Sequence, residues 1–257
     1  MSSSANRPVC IVTGSSSGIG AATALWFAQR GHDVVINYSR EAGPANSVAE
    51  RCRAAGAEAL VVRADIADNA QCLALAEEAK QRFGGVDTLI NNAGTTTKVV
   101  DLKDLHGLSA EDFATTYAVN VIGTFQMCRA VAPLMQGRAH ASIVNISSMA
   151  AVTGAGSSMA YAVSKGALNT LTLAMARSLA PAIRVNAILP GMVNTDWLRG
   201  KLAPEQVQAR RQRYESRALL HAVIEPDDAA RTAWWLATEA VKTTGQLIEL
   251  DAGFKLG

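Results

Sequence analysis

The chain has 257 residues, of which 49% are hydrophobic and 5% aromatic, enough for one large α/β domain with a buried core. Its formal net charge of +2 at pH 7 gives no electrostatic reason to bind nucleic acid. The chain starts MSSSANRPVC, with one arginine and no long apolar segment, so we expect neither a secretion signal nor a membrane span.

Short apolar segments alternate with longer amphipathic ones along the chain. In chain order the pattern predicts a strand at residues 9–13, a helix at 18–30, a strand at 33–38, a helix at 44–55, a strand at 58–64, a helix at 69–83, a strand at 86–91, a long helix at 109–135, a strand at 141–147, a helix at 159–180, a strand at 184–189, a helix at 226–239 and a strand at 246–250.

This alternation predicts one α/β domain of the doubly wound, Rossmann type. We expect a mostly parallel sheet of about seven strands with helices on both faces. No internal repeat or linker interrupts the pattern. We therefore assign residues 1–7 to a flexible tail and residues 8–257 to a single domain.

The cysteines and histidines are scattered through the predicted elements and show no metal-ligand spacing. We expect buried free thiols in a reducing cytoplasm, and we expect no metal site. The residues concerned are Cys10, Cys52, Cys72, Cys128, His32, His106, His140 and His221.

The turn between the first strand and the first helix is rich in glycine. Residues 13–20 read TGSSSGIG, so the glycine spacing is G-x-x-x-G-x-G. Glycines let a backbone turn tightly and approach a pyrophosphate at a helix N-terminus. Tight turns need glycine for their own geometry too. The position of this turn between strand and helix favours nucleotide binding.

Three polar side chains converge in the stretch 143–165, which reads IVNISSMAAVTGAGSSMAYAVSK. Tyr161 and Lys165 are four residues apart and share one face of a helix, and Ser148 ends the preceding strand. A nearby ammonium group lowers the pKa of a phenol, which would suit Tyr161 for proton transfer to or from a carbonyl oxygen. Taken alone, the pair is also compatible with an ordinary helix contact.

Together the motifs resemble the short-chain dehydrogenase/reductase family, over nearly the whole chain from residue 9 to 253. Besides TGSSSGIG and the Ser148, Tyr161, Lys165 group, the resemblance rests on Asp65 after the third strand, NNAG at 91–94, Asn120, and the PG dipeptide at 190–191 followed by Thr195. The family implies an NAD(P)-dependent oxidoreductase.

The resemblance also implies catalytic roles. Tyr161 would be the acid/base, Lys165 would lower its pKa and bind the nicotinamide ribose, and Ser148 would orient the substrate oxygen. Asn120 would hold a water that links Lys165 to solvent, although it could also bond locally within its helix.

The implied cofactor site includes Tyr161 and Lys165 and draws on five further segments. It comprises Gly14, Ser16, Ser17, Gly18, Ile19 and Gly20 in the turn; Ser39 and Arg40; Asp65 and Ile66 beside the adenine; Asn92, Ala93 and Gly94; and Ile188, Pro190, Gly191 and Thr195 at the nicotinamide end. Residues 91–94 could instead simply support the sheet.

The end of the second strand favours NADP(H) over NAD(H). An acidic residue there would accept bonds from both ribose hydroxyls of NAD, but the strand ends in Ser39 and Arg40, with no carboxylate before Glu41. Ser39 could donate a hydrogen bond to the 2′-phosphate and Arg40 could pair with its charge. Glu41 could neutralise Arg40, and Arg40 could be a solvated loop residue.

The sequence says less about the substrate than about the cofactor. The resemblance implies a mobile substrate lid at about residues 194–217. A medium-sized apolar ketone or β-ketoacyl group would suit the small or apolar residues expected to face the carbonyl site, which are Met149, Ala150, Val152, Met192 and Trp197. The lid also carries Arg199, Lys201, Arg210, Arg211, Arg213 and Arg217. These cations could receive an anionic substrate or an acidic carrier protein, or form a solvated face.

We expect a carbonyl reductase or alcohol dehydrogenase. The alternatives are a 3-oxoacyl-(acyl-carrier-protein) reductase of fatty-acid synthesis and a catalytically silent NADP(H) sensor or scaffold. In the segment before the fifth strand, which reads MQGRAHAS, Arg138 is the only certain cation, and this argues against carrier docking. The family also implies a homotetramer, whose interface would use apolar residues such as Val119, Ile122, Phe125, Leu171 and Leu173 and one of Trp234 and Trp235.

Overall fold

The structure is a computed structural model that describes residues 7–198 and 200–257. Residues 1–6, most of the expected tail, and Arg199 of the expected lid lie outside the described residues. Within the described part, no helix combines the length and the apolar character needed to cross a bilayer.

The described residues form a seven-stranded sheet in which every pair of neighbours is parallel. The strands are β1 (Val9–Val12), β2 (Asp33–Tyr38), β3 (Ala59–Arg63), β4 (Thr88–Asn91), β5 (Ser142–Ile146), β6 (Arg184–Pro190) and β7 (Leu247–Leu250). Their order is β3-β2-β1-β4-β5-β6-β7, so the predicted fold is confirmed. The order reverses between β1 and β4, and a ligand crevice is expected at the carboxyl ends of these strands.

Nine α-helices occur in the described chain. They are α1 (Gly18–Ala28), α2 (Ala42–Ala54), α3 (Asn69–Phe83), α4 (Ala110–Tyr117), α5 (Thr124–Val131), α6 (Ala150–Thr153), α7 (Met159–Leu179), α8 (Pro204–Arg217) and α9 (Pro226–Trp234). The short α6 and the lid helix α8 were not among the predicted elements.

The long helix expected at 109–135 is not one regular α-helix. A π-helical turn, Ala118–Gly123, separates α4 from α5, and a 3₁₀ turn, Ala132–Met135, follows α5. Gly123 packs closely on the loop that follows β3, and a Cβ on Gly123 would lie 2.8 Å from the carbonyl oxygen of Ile66. The π-helical turn contains Asn120, and single π-helical turns within α-helices are frequent at functional sites.

The hydrophobic core fills both faces of the sheet. Along β2, Val34 and Ile36 pack with Phe27 on the α1 face, whereas Val35 packs with Leu75 on the α3 face. This alternation follows from the two-residue period of a strand. Each fully buried side chain of this size contributes roughly 1.5–3 kcal/mol, which makes the sheet a rigid base for its carboxyl edge.

Candidate active site

The glycine turn between β1 and α1 has a backbone that side chains would obstruct. Gly14 and Gly18 adopt left-handed φ angles of 60° and 53°. A Cβ on Gly14 would lie 2.8 Å from Cα of Ala93, and a Cβ on Gly20 would lie 2.6 Å from the Gly14 carbonyl oxygen. Close backbone approach and positive φ therefore explain these glycines.

Buried hydrogen bonds hold this turn against β2. The Ser15 hydroxyl donates to the Val12 carbonyl at 2.7 Å and accepts from the backbone N–H of Asn37 at 3.0 Å. The Asn37 side chain accepts from the Gly14 N–H at 3.0 Å and donates to the Ala64 carbonyl at 3.0 Å. Sequence reasoning missed Asn37, which ties the turn to both β2 and the end of β3.

Asn92 supports the same turn from the β4 side. Its amide donates to the carbonyls of Thr13 at 2.9 Å and Gly14 at 3.0 Å. The Thr13 hydroxyl accepts from the backbone N–H groups of Asn92 and Ala93, each at 3.0 Å. Of the two interpretations of residues 91–94, the structure thus gives Asn92 a supporting role, while Asn92, Ala93 and Gly94 also line the cleft.

The N-terminus of α1 fits a pyrophosphate. Among the described residues, no side chain caps this helix at Ser17, and its first turn carries no acidic residue. By contrast, Asp68, Ser109 and Ser158 accept backbone hydrogen bonds at the starts of α3, α4 and α7. Free N–H donors and the positive end of the helix dipole favour an anion at α1. The turn and helix therefore fit the diphosphate of a dinucleotide.

Ser148, Tyr161 and Lys165 meet at the carboxyl end of β5. Ser158 caps α7 by accepting from the Tyr161 N–H at 3.1 Å, which sets the position of Tyr161 in the first helical turn. The Ser148 hydroxyl lies close enough to the Tyr161 phenol to lower its pKa. Lys165 Nζ lies 5.7 Å from the Tyr161 ring centroid and donates to the Ile146 carbonyl at 2.7 Å.

Burial shifts both titratable groups toward their neutral forms. It raises the pKa of Tyr161 to about 12, and the Ser148 hydroxyl only partly offsets this. It lowers the pKa of Lys165 to about 8. The direction for Tyr161 is opposite to the one expected from the sequence, because desolvation of the half-buried phenol dominates and the Lys165 Nζ donates to a backbone carbonyl. At neutral pH the phenol is therefore a proton donor.

Asn120 lies behind this group. It is fully buried on the π-helical turn and does not line the cleft. Its side chain accepts from the Thr95 N–H at 2.7 Å and donates to the Thr95 carbonyl and the Ser164 hydroxyl, each at 2.9 Å. Both amide hydrogens are thus committed, so the amide nitrogen is not available to hold a water.

Ser164, which sequence reasoning missed, extends this network to the catalytic helix. Its hydroxyl donates to the Tyr161 carbonyl at 2.7 Å. The chain Thr95, Asn120, Ser164 therefore joins the loop after β4 to the backbone of Tyr161. A Cβ on Gly94 would lie 3.3 Å from Asn120 Oδ1 and 3.6 Å from Lys165 Nζ, so glycine keeps these two groups close.

A single cleft of about 2420 Å³ runs from the glycine turn to α8. Apart from Gly20, Asn120 and Ile188, every site residue predicted from the sequence lines it, and Ile188 is fully buried within β6. These lining residues are Gly14, Ser16, Ser17, Gly18, Ile19, Ser39, Arg40, Asp65, Ile66, Asn92, Ala93, Gly94, Ser148, Tyr161, Lys165, Pro190, Gly191 and Thr195. Gly20 lies behind the turn against Asn92.

The far wall of the cleft comes from residues after β6. Thr195 reaches the glycine turn, where a Cβ on Gly18 would lie 3.3 Å from its Cγ2. The Trp197 ring is 6.0 Å from the Tyr161 ring, and Lys201 Nζ lies 5.1 Å from the Trp197 ring centroid. Met149, Ala150 and Met192 line the cleft as expected. Val152 does not, because its side chain is 44% exposed on α6, outside the cleft.

Known proteins match this architecture along its whole length. A family model described as Enoyl-(Acyl carrier protein) reductase matches residues 14–255. A solved structure from Burkholderia xenovorans, named as a candidate short-chain dehydrogenase/reductase, is 42% identical, with 100% of both chains covered and a TM-score of 0.90. The chain belongs to the short-chain dehydrogenase/reductase family.

Two further relatives of this short-chain dehydrogenase/reductase are named for reductase activity. A candidate ketoacyl reductase 2 of the granaticin polyketide synthase from Streptomyces violaceoruber is 37% identical, over 97% of this chain and 96% of the relative. The 3-oxoacyl-(acyl-carrier protein) reductase of Brucella melitensis, solved in complex with NAD, is 29% identical, with 99% of each chain covered and a TM-score of 0.87. The protein is therefore an oxidoreductase of a family that uses NAD(P).

Proposed function

We propose that this short-chain dehydrogenase/reductase interconverts a ketone and the corresponding alcohol, with a preference for NADP(H). The observation that carries the proposal is that Ser148, Tyr161 and the buried Lys165 all line the cleft into which the glycine turn opens. A bound nicotinamide dinucleotide would supply or accept the hydride.

Residues of the chain would carry out the proton transfer that accompanies hydride transfer. The protonated Tyr161 phenol donates to the carbonyl oxygen as it gains charge, and Ser148 holds that oxygen by a hydrogen bond. Lys165 places a cation within 5.7 Å of the phenol ring and stabilises the phenolate that remains. Asn120 acts through Ser164 and keeps Tyr161 in position. In the oxidation direction the same groups would remove a proton from the alcohol.

The preference for NADP(H) rests on the charges at the end of β2. Ser39 and Arg40 are exposed there and line the cleft. Lys201, which also lines the cleft, lies near enough that its pKa, lowered first by partial burial, is lowered further by the charge of Arg40. Two neighbouring cations would suit a ribose 2′-phosphate, although Glu41 lines the same part of the cleft.

A 3-oxoacyl-(acyl-carrier-protein) reductase is the second candidate, favoured by the names of relatives. The structure gives little support to carrier docking at Arg138. Its guanidinium lies 3.7 Å from the Asp87 carboxylate, and its side chain is only 23% exposed. We therefore place a carbonyl reductase or alcohol dehydrogenase first.

We further propose a cytoplasmic homotetramer. All four cysteines are free and buried, as suits a reducing compartment. Ile122, Phe125 and Leu173 are each at least 40% exposed on α5, α7 and the π-helical turn between α4 and α5, and Trp235 is 42% exposed next to the more buried Trp234. These apolar side chains would be covered by other copies of the chain.

The first test is oxidation of NADPH and NADH in parallel, with acetoacetyl thioester and with simple ketones and sugars. We expect faster turnover with NADPH than with NADH, and turnover of at least one simple ketone or sugar. Turnover of the thioester alone would favour the acyl reductase. No turnover across the panel, despite dinucleotide binding, would indicate a sensor or scaffold.

Replacement of the phenol tests the site itself. We expect Tyr161→Phe to lower kcat by about 100- to 10,000-fold, because the ring keeps its packing but loses its proton. Cofactor affinity, measured by fluorescence titration, should stay within a few-fold of the wild-type value. Undiminished turnover in Tyr161→Phe would remove Tyr161 from the chemistry.

A further inference from the structure

The lid helix α8 presents three arginines to the cleft along one stripe. Arg210, Arg213 and Arg217 are spaced by three and four residues, so they share one helical face. All three are exposed and all three line the cleft that holds Tyr161. We call them the arginine stripe. Arg211 lies on another face, where it donates to Glu215 at 2.9 Å, and it does not line the cleft.

Buried contacts set the orientation of this helix. Tyr214 is the buried side chain of α8, and its hydroxyl donates to the Asp251 carbonyl at 2.6 Å. The Tyr214 ring stacks on Phe254 with centroids 4.4 Å apart and planes 1° apart. The hydroxyl end of Tyr214 also meets the backbone of Gly191, where no side chain would fit. Because Tyr214 faces the β6 end of the sheet, the stripe beside it faces the cleft.

Two members of the stripe, Arg210 and Arg213, are not neutralised by the described part of the protein. Neither Arg210 nor Arg213 has a carboxylate within 4.0 Å among the described residues, whereas Arg211 is paired with Glu215. Arg217 lies over the Phe254 ring at 4.6 Å and donates to the terminal carbonyl of Gly257 at 3.2 Å. Asp196 and Asp227 are acidic residues of the same cleft.

A solvated face would turn such residues toward bulk water, but these guanidinium groups border a concave space. Met192, Trp197 and Phe254 supply apolar surface in the same cleft, on the way from α8 to the Tyr161 ring. Guanidinium groups bind carboxylates and phosphates through paired hydrogen bonds, which are stronger in a cleft than in open water.

We propose that the arginine stripe binds an anionic group, a carboxylate or a phosphate, at the end of the substrate remote from the reacting carbonyl. This inference rests on the proposed ketone chemistry and assigns its substrate class: a keto or hydroxy compound with an apolar middle and an anionic tail.

The test uses homologous methyl ketones of increasing chain length, each ending in a carboxylate, a phosphate or a methyl ester. For each length, kcat/KM is measured for the anion and for the ester. We expect at least one anion to be favoured by about tenfold or more, and the better of the two anions identifies the tail. The double variant Arg210→Gln, Arg213→Gln should bring the ratio close to one, and added salt should reduce it in the native enzyme.

Arg211→Gln is the matched control, since it removes the same charge from the same helix outside the cleft. Its ratio should match that of the native enzyme. A ratio of one or less at every length would overturn the proposal, and so would an equal loss of preference in Arg211→Gln. Because the ratio compares two substrates of one enzyme preparation, partial misfolding does not alter it.

A failure of the ketone chemistry would look different. If neither esters nor anions are turned over, the proposed function is wrong, and the stripe is then judged by calorimetric titration of the same carboxylates and phosphates into the NADPH complex. Binding weakened by the double variant but not by Arg211→Gln would support the anion site. Equal affinities in the three proteins, or no binding to any of them, would overturn it.

Discussion

The two ends of the cleft are built in contrasting ways. At the cofactor end, Thr13, Ser15 and Asn37 are each at most 2% exposed and hold the glycine turn through hydrogen bonds to three strands or their ends. At the lid end, Tyr214 is the buried side chain of α8, and the 3₁₀ turn Asp196–Leu198 has no buried residue among those described.

This contrast separates what the fold determines from what the lid determines. A turn held by many buried hydrogen bonds tolerates little change, because each unpaired group would cost free energy. A lid held by a few contacts can move and can change its exposed residues without disturbing the sheet. We therefore expect cofactor geometry to depend mainly on the sheet edge, and substrate choice mainly on residues after β6.

The largest effect on stability should come from adding one methyl group to the glycine turn. In Gly20→Ala the Cβ would lie 2.5 Å from Asn92 Nδ2, 2.6 Å from the Gly14 carbonyl and 2.9 Å from the Ser15 Cα. Because two of these atoms are backbone, we expect the free energy of unfolding to fall by about 3 kcal/mol in urea titrations. NADPH affinity should fall with it.

Gly43→Ala is the control, since a Cβ there meets nothing within 4 Å on the exposed start of α2. It should leave stability unchanged or raise it by up to about 1 kcal/mol. Native stability and native NADPH affinity in Gly20→Ala would show that the turn adapts easily, and the contrast between the two ends would then fail.

The sequence was sufficient for the fold because its strands are short apolar segments between well-marked helices. Each observed strand lies within two residues of its predicted bounds. The π-helical turn at Ala118–Gly123 was not foreseen, since one extra residue in a turn barely changes an apolar pattern. Its cause is tertiary: the backbone of Gly123 meets Ile66 from another part of the chain.

The same distinction applies to the candidate site, where some residues have a local sequence signature and others do not. Glycines and the Tyr161 and Lys165 pair leave local signatures, so their positions could be predicted. Asn37 and Ser164 could not, because a polar residue inside a strand or helix does not reveal its distant partner. Asn37 bonds Gly14 and Ala64, and Ser164 receives a hydrogen bond from Asn120, 44 positions away. Which arginines face the cleft likewise depends on how Tyr214 seats the lid helix.

A medium effect is expected where the cofactor end meets the lid. Arg40→Ala should weaken NADPH binding about tenfold more than NADH binding, because only NADPH carries the 2′-phosphate charge that Arg40 would pair with. Parallel fluorescence titrations of the two dinucleotides measure this ratio. Arg51→Ala, which removes another cation that lines the cleft, tests whether the effect is specific to position 40. Equal weakening of NADPH and NADH by Arg40→Ala would exclude Arg40 from the phosphate site.

The smallest effect should come from loosening the lid at its one buried anchor. Tyr214→Phe keeps the stack on Phe254 but removes the hydroxyl that donates to Asp251, so the free energy of unfolding should fall by only about 1 kcal/mol. KM for the best ketone should rise a few-fold as α8 loses orientation, while NADPH affinity stays native. Tyr117→Phe, at a side chain 39% exposed, controls for loss of a phenol. If Tyr214→Phe weakened NADPH and ketone alike, α8 would take part in cofactor binding, and the division of the cleft into a rigid end and an adjustable end would not hold.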